Sequence, residues 1–297
     1  MKIPLLANLG ESRRGTATSG RVCCTLWPTG RCSAAMTTRP QWHSRLTIEI
    51  PAEMDLYEKT KAYQWNASEE IDWSRPIQNF SEQTYAPYAS QVSREDFDRL
   101  CAQHRAQTFS QLFLGEQAAL AMCAQLVNIC PEIETKLCLA GQIIDEARHI
   151  EVFGRYLDKL DAETTNDGAL EEMVHLMLDS DHYGEKIVGM QIFLEGIAVG
   201  LFKMFQTSSP DPLLRDLIGL VLRDESRHAA FGVMYLTNKF ENVSGAERRR
   251  IEEFVGNLRR LLGGGAGYGG AGGNPAFFDQ TFADIDHRLK LIGLESR

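Results

Sequence analysis

The segment Asp145-Glu146-Ala147-Arg148-His149 recurs 79 positions later as Asp224-Glu225-Ser226-Arg227-His228. The repetition extends beyond these pentapeptides, because Glu116 precedes Glu146 by 30 residues and Glu195 precedes Glu225 by the same 30. From composition alone, the odds of repeating such a set at a chosen offset are about one in 10⁵. A chain carrying this pattern is constrained to fold into two similar halves that share one purpose.

Helix geometry supplies the reason for the spacing. Side chains at i and i+3 project from one helix face, so each Glu-x-x-His helix offers a carboxylate and an imidazole to the same point. A further glutamate from each of two other helices completes a set of four carboxylates and two imidazoles: Glu116, Glu146, His149, Glu195, Glu225 and His228. Projecting inward in a bundle, these form the ligand set of a carboxylate-bridged dimetal site.

The surroundings sharpen this reading. Glu195 is the only charged residue between Gly189 and Phe202, and Glu116 follows Phe113-Leu114-Gly115. An unpaired carboxylate in such a setting costs several kcal/mol and takes up a proton to escape the penalty. Two divalent cations balance four glutamates. Carboxylate oxygens with imidazole suit iron or manganese, and no cysteine lies in the motif to favour structural zinc. Asp145 and Asp224 are expected to accept hydrogen bonds from the outer nitrogens of ligand histidines in the opposite helix, which fixes the tautomer. Arg148 and Arg227 are expected to pair with these aspartates.

Four long helices with short connections are expected: Ser93 to Cys130, Glu132 to Leu160, Ala169 to Gln206 with a bend near Ser180–Gly184, and Leu213 to Phe240. They read as an antiparallel bundle over residues 93–240. Ser93 with Asp96 opens the first, and Pro131 can start the second at its first turn. An extension, 47–92, holds an amphipathic stretch (Met54 to Trp65) and an aromatic-rich extended segment (Ile71–Tyr88). The remainder, 241–297, holds a helix from Ala246 to Leu262, a flexible loop Gly263–Gly273 and a short helix from Phe277 to Ile292. Gly196 and Gly200 admit two readings, close helix packing or room beside the metals with a π-bulge. His104, His175 and His182 fall outside the motif spacing and read as ordinary helix residues, with His182 alone set apart by its place close to the expected bend.

Residues 1–46 form a basic leader expected to be disordered, with the composition of a transit peptide or of an over-extended start; deleting 1–35 is expected to leave fold and metal content intact. The leader carries about +6 of charge through residue 45, which leaves about −15 on the rest of a chain of net charge −9. So acidic a body disfavours a nucleic-acid groove or an anionic membrane as partner. No uncharged run of 18 apolar residues occurs, so no membrane span is expected. The seven cysteines form no CxxC pair, which fits a reducing cytoplasm.

The doubled DExRH and its two distant glutamates resemble the ferritin-like diiron carboxylate superfamily. They look most like the bacterial multicomponent monooxygenase hydroxylases and, next, the ribonucleotide reductase small subunits. The resemblance implies an all-α, ferritin-like antiparallel four-helix bundle with extra N- and C-terminal helices. It implies two iron ions, with an Mn/Fe pair also compatible: Glu116, Glu146 and His149 resemble the ligands of one, Glu195, Glu225 and His228 those of the other, and Glu146 and Glu225 the bridges. It further implies activation of O₂ with electrons from a donor protein or reductant, oxidation of a small organic substrate by hydroxylation or N-oxygenation, and compatibility with a homodimer. A reductase-like metal-oxidant subunit and an iron-handling ferroxidase are the second and third readings. Two positions depart from these relatives. Phe153 stands four residues after His149, where the reductase subunits carry their radical tyrosine, and Val199 stands where the hydroxylases usually have threonine. Tyr156 and Tyr235, each seven residues beyond a motif histidine, read as repeat-related packing positions. Ile192, Phe193, Val199, Leu201, Phe113 and Leu120 are candidate walls of a substrate pocket.

Overall fold

A computed structural model describes residues 51–162, 168–241, 243–264 and 275–295, all within the unit Thr38–Arg297. The basic leader and most of the glycine-rich loop lie outside the described residues. Every regular element among those described is helical: α1 (Pro51–Ala62), α2 (Ala67–Glu70), α3 (Ser81–Tyr85), α4 (Arg94–Ile129), α5 (Ile133–Lys159), α6 (Gly168–Asp179), α7 (Tyr183–Val188), α8 (Glu195–Ser208), α9 (Pro212–Phe240), α10 (Gly245–Gly264) and α11 (Pro275–Leu291).

The repeat defines the architecture. Helices α4 and α5 form one hairpin through Cys130-Pro131-Glu132, and α8 and α9 form a second through Ser209-Pro210-Asp211. These connections stand 79 positions apart, and three-residue links fold each pair back on itself. The hairpins are also tied reciprocally. Tyr156 on α5 donates to Asp211 Oδ2 at 2.6 Å, and Tyr235 on α9 donates to Glu132 Oε2 at 2.9 Å, so each phenol reaches the acidic N-cap residue of the other hairpin. The two tyrosines are therefore more than packing positions.

Local chemistry sets the ends. Ser93 caps α4 by accepting from the Asp96 N–H at 3.1 Å, and Asp211 caps α9 by accepting from the Leu213 N–H at 2.9 Å ahead of Pro212. Pro131 lies outside α5, whose N-cap is Glu132. The expected third helix is broken, not bent. Ser180 Oγ accepts from the His182 N–H at 3.1 Å, and His182 Nδ1 accepts from the Glu185 N–H at 3.2 Å, which ends α6 and starts α7. The buried Lys186 ammonium holds the break together by donating to Leu178 O at 2.7 Å, Met177 O at 3.1 Å and Gln125 Oε1 at 2.6 Å. Such capping satisfies carbonyls that a helix end otherwise leaves orphaned. Beyond α7 the chain passes through a π-helical segment, Gly189–Leu194, and enters α8 without a gap.

The stretch Ile71–Tyr88 is not wholly extended. Asn79 Oδ1 accepts from the Ser81 N–H at 3.2 Å and opens α3, which runs into a 3-10 turn, Ala86–Gln91. Gly196 and Gly200 serve close packing: a Cβ there would stand 2.8 Å from Ile285 and 2.8 Å from Thr281 of α11. Two helical stretches, Arg94–Ile129 and Tyr183–Ser208, have the length and apolarity of a membrane span. In the second, 78% of the most apolar window is buried inside the fold, where its side chains form the bundle core.

Candidate metal centre

Helices α4, α5, α8 and α9 bring Glu116, Glu146, His149, Glu195, Glu225 and His228 together in the bundle interior, each at most 5% exposed. Their ligand atoms form two groups, Glu116/Glu146/His149/Glu225 and Glu146/Glu195/Glu225/His228, within which all atoms lie within 4.8 Å of one another. Glu146 and Glu225 belong to both. The two rings take the same pose. His149 Nδ1 faces Glu225 at 3.0 Å, Glu116 at 3.2 Å and Glu146 at 3.3 Å, while His228 Nδ1 faces Glu225 at 3.1 Å, Glu146 at 3.4 Å and Glu195 at 3.9 Å.

The outer nitrogens reach the aspartates across the repeat. His228 Nε2 lies 3.0 Å from Asp145 Oδ2, and His149 Nε2 lies 3.4 Å from Asp224 Oδ2. Arg148 binds Asp145 and also Asp224 (3.1 Å), and Arg227 binds Asp224 (2.6 Å) and Asp145 (3.2 Å), so four side chains close a box behind the histidines. Burial pushes both aspartates up, but the adjoining histidine, with Arg148 for Asp145 and Arg227 for Asp224, outweighs it and holds each below the usual carboxylate range. As ionised acceptors they hold a proton on Nε2, so that loss of the Nδ1 proton turns the Nδ1 lone pair toward the glutamates.

That convergence tests the fit of a metal pair. The Nδ1 atoms of two imidazoles and the oxygens of four carboxylates crowd one buried volume, and two of those oxygens, Glu146 Oε2 and Glu195 Oε2, make no hydrogen bond. A pair of divalent cations fits such a set. The charges close as well: four glutamates and two aspartates carry six negative charges, Arg148 and Arg227 offset two, and two divalent ions offset four. In the apoprotein protons do this work. Burial raises Glu116 and Glu195 well above the carboxylate range. Burial opposes charge on the histidines, yet the facing carboxylates raise His149 strongly and push His228 up to about 10.

Four partners escaped the sequence reading; one is Gln64, which donates to Asp145 Oδ1 at 3.4 Å and accepts from Arg148. Trp65, just beyond α1, donates its indole N–H to Asp224 Oδ2 at 2.7 Å and stacks under Arg148, 5.2 Å away. Gln142, one turn before Glu146 on the same face of α5, donates to Glu146 at 3.0 Å and to Glu195 at 2.6 Å. Gln191, in the π segment, donates to Gln142 Oε1 at 2.7 Å. Only Gln142 left a signal, an amide at i−4 from a ligand.

A cavity lined by all four glutamates is otherwise walled mainly by apolar side chains, among them Leu112, Ile197, Leu201, Phe202 and Phe205. Of the six walls expected from the sequence, Leu201 alone lines it. Ile192 and Phe193 lie in the π segment, are fully buried and belong to the core, not to the cavity lining.

An all-α bundle of two paired hairpins around a buried carboxylate–histidine cluster defines a ferritin-like fold. No family model matches the chain, and no curated protein matches it. Among solved structures it is similar to the R2-like ligand-binding oxidase from Sulfolobus acidocaldarius, at 19% identity and a TM-score of 0.61 over 84% of this chain and 95% of that one. It is equally similar to an R2-like ligand-binding oxidase with an aerobically reconstituted Mn/Fe cofactor, at 18% identity and a TM-score of 0.61 over 85% and 96%. The chain thus has the fold of the R2-like ligand-binding oxidases, whereas the motifs alone look most like the monooxygenase hydroxylases and, next, the ribonucleotide reductase small subunits.

Proposed function

We propose that this chain is a dimetal oxidase of the R2-like kind, holding Fe/Fe or Mn/Fe, that uses O₂ to oxidise an apolar organic molecule seated in the cavity. The observation that carries this reading is the sharing of Glu146 and Glu225 by two ligand groups whose glutamates line a mainly apolar cavity. The similarity to oxidases carrying Mn/Fe supports the choice of metals. When bound, the metal pair supplies the electrons that reduce dioxygen. The chain does the rest. His149 and His228 present Nδ1 because Asp224 and Asp145 hold their protons on Nε2, Arg148 and Arg227 keep those aspartates ionised, and Leu201, Phe202 and Phe205 exclude bulk water.

The test is anaerobic loading with Fe(II), alone and with Mn(II), followed by O₂ in the presence of apolar organic probes of graded length. Uptake of two ions, O₂ consumption and an oxygenated or dehydrogenated probe by mass spectrometry are expected. Mineralised iron without turnover of any probe would favour the ferroxidase reading instead.

A further inference from the structure

The repeat that builds the centre fails at one side chain that touches it. Glu146, His149, Asp145 and Arg148 each have a counterpart 79 positions on, but Gln142 is matched by Val221. Val221 is fully buried on α9 one turn before Glu225, so that half of the bundle is complete with an apolar side chain in this layer. The amide at Gln142 is therefore not needed to build the helix pair. It links carboxylates from the two hairpins: its NH₂ donates to Glu195 at 2.6 Å and to Glu146 at 3.0 Å. The orientation is fixed, since a reversed amide would aim its oxygen at two carboxylates. Gln142 Oε1 is in turn held by the Gln191 amide at 2.7 Å, and Gln191 is fully buried in the π segment. Among the described residues Glu116, the counterpart of Glu195, has no such amide donor; its hydrogen-bonding contact is His149 itself.

We propose that Gln142 is a positioning residue that makes the two metal positions inequivalent, by pinning Glu195 beside Glu146 and so preorganising the position completed by His228. This rests on the dimetal reading above. A carboxylate held before the ion arrives loses less freedom on binding, so the His228 position fills first and the His149 position second. Outer partners of metal ligands contribute about 10- to 100-fold in affinity.

The experiment is an anaerobic Fe(II) titration of the full chain by calorimetry, with Mössbauer spectra of the half-loaded and fully loaded protein. Wild type is expected to bind in two resolved steps and to give two ferrous doublets. Gln142→Met keeps the length of the side chain and removes its N–H donors. It is expected to weaken the first step by about 10- to 100-fold and merge the two, while helix content stays at the wild-type level. Gln191→Met keeps the donors but frees Gln142, and a smaller shift in the same direction is expected; it is the deciding variant if Gln142→Met does not fold. A Gln142→Met titration matching wild type, or an equal loss in both steps, overturns the role of Gln142. Wild-type uptake of fewer than two ions overturns the dimetal reading itself.

Discussion

His228 Nε2 on α9 and Asp145 Oδ2 on α5 lie 3.0 Å apart, and the same relation, at 3.4 Å, joins His149 to Asp224 in the opposite sense. Each hairpin thus orients the histidine of the other. Asp145→Asn substitutes a neutral amide that can turn its NH₂ toward Nε2 and favour the wrong tautomer. Fe(II) affinity is expected to fall about 10- to 100-fold. Calorimetric titration checks this, with circular dichroism confirming an intact fold.

The carboxylates shared between the two groups differ from those that are not. Glu146→Ala or Glu225→Ala is expected to reduce bound metal from two ions toward none, because each removes a ligand from both groups. Glu116→Ala is expected to weaken mainly the ion beside His149. Metal analysis after gel filtration measures all three; loss of a single ion in Glu146→Ala would contradict bridging.

Metal uptake is expected to be strongly pH-dependent. The carboxylates raise His228 to about 10 in the apoprotein, so below that pH an incoming cation displaces a proton. Affinity therefore rises with pH, by about tenfold per unit for each proton released. The apoprotein's stability runs the opposite way. A raised histidine pKa contributes stability that is fully present below the unfolded value near 6.5 and is lost as pH climbs through about 10. Titrations in buffers of different ionisation enthalpy count the protons directly.

The six-residue cluster was legible in the sequence because duplication supplies a phase: one offset of 79 picks Glu116 and Glu195 from among forty acidic residues. The helices carrying it were legible for the same reason, together with Ser93 and the prolines of the two connections. Features outside the repeat were not. Trp65 approaches Asp224 from the extension, Gln142 has Val221 as its counterpart in the repeat, and Gln191 lies in the π segment. A π-helical turn changes the facing of residues without changing composition, so Ile192 and Phe193 read as pocket walls when they are core. The break before α7 rests on His182 acting through its ring as a cap, a role no periodicity marks.

Phe153 is the position at which the radical-storing and oxygenase readings predict different outcomes. It is fully buried, 6.2 Å from Phe109 and 5.7 Å from Phe202 by ring centroid, with no phenolic proton to lose. Tyr156 donates to Asp211, and burial together with that carboxylate pushes its phenol well up. No persistent tyrosyl signal is expected in electron paramagnetic resonance after the Fe(II)-loaded wild type meets O₂. Phe153→Tyr is expected to give such a signal or a hydroxylated ring and to lose probe turnover. It should also cost about 1–3 kcal/mol if its hydroxyl stays unpaired.

Two glycines separate packing from room. A Cβ on Gly232 of α9 would stand 2.6 Å from Gln191 Cβ and 2.8 Å from the Gln191 carbonyl oxygen, so Gly232→Ala must push the π segment off α9. Part of that contact is backbone, which cannot rotate away, and overpacking of this kind costs about 1–3 kcal/mol. The displaced segment carries Gln191 and leads directly into Glu195, so metal affinity at the His228 position should fall along with stability. Gly115, immediately before Glu116 in α4, is the opposite case. A Cβ there meets nothing within 4 Å, and the residue lines the cavity. Gly115→Ala is expected to stabilise the helix by about 0.5–1 kcal/mol, to keep both metals, and to shift turnover toward shorter probes because the methyl narrows the cavity. Denaturant unfolding, metal analysis and probe-length profiles of the two variants give this contrast. Equal effects on metal content would show that the π segment does not position Glu195.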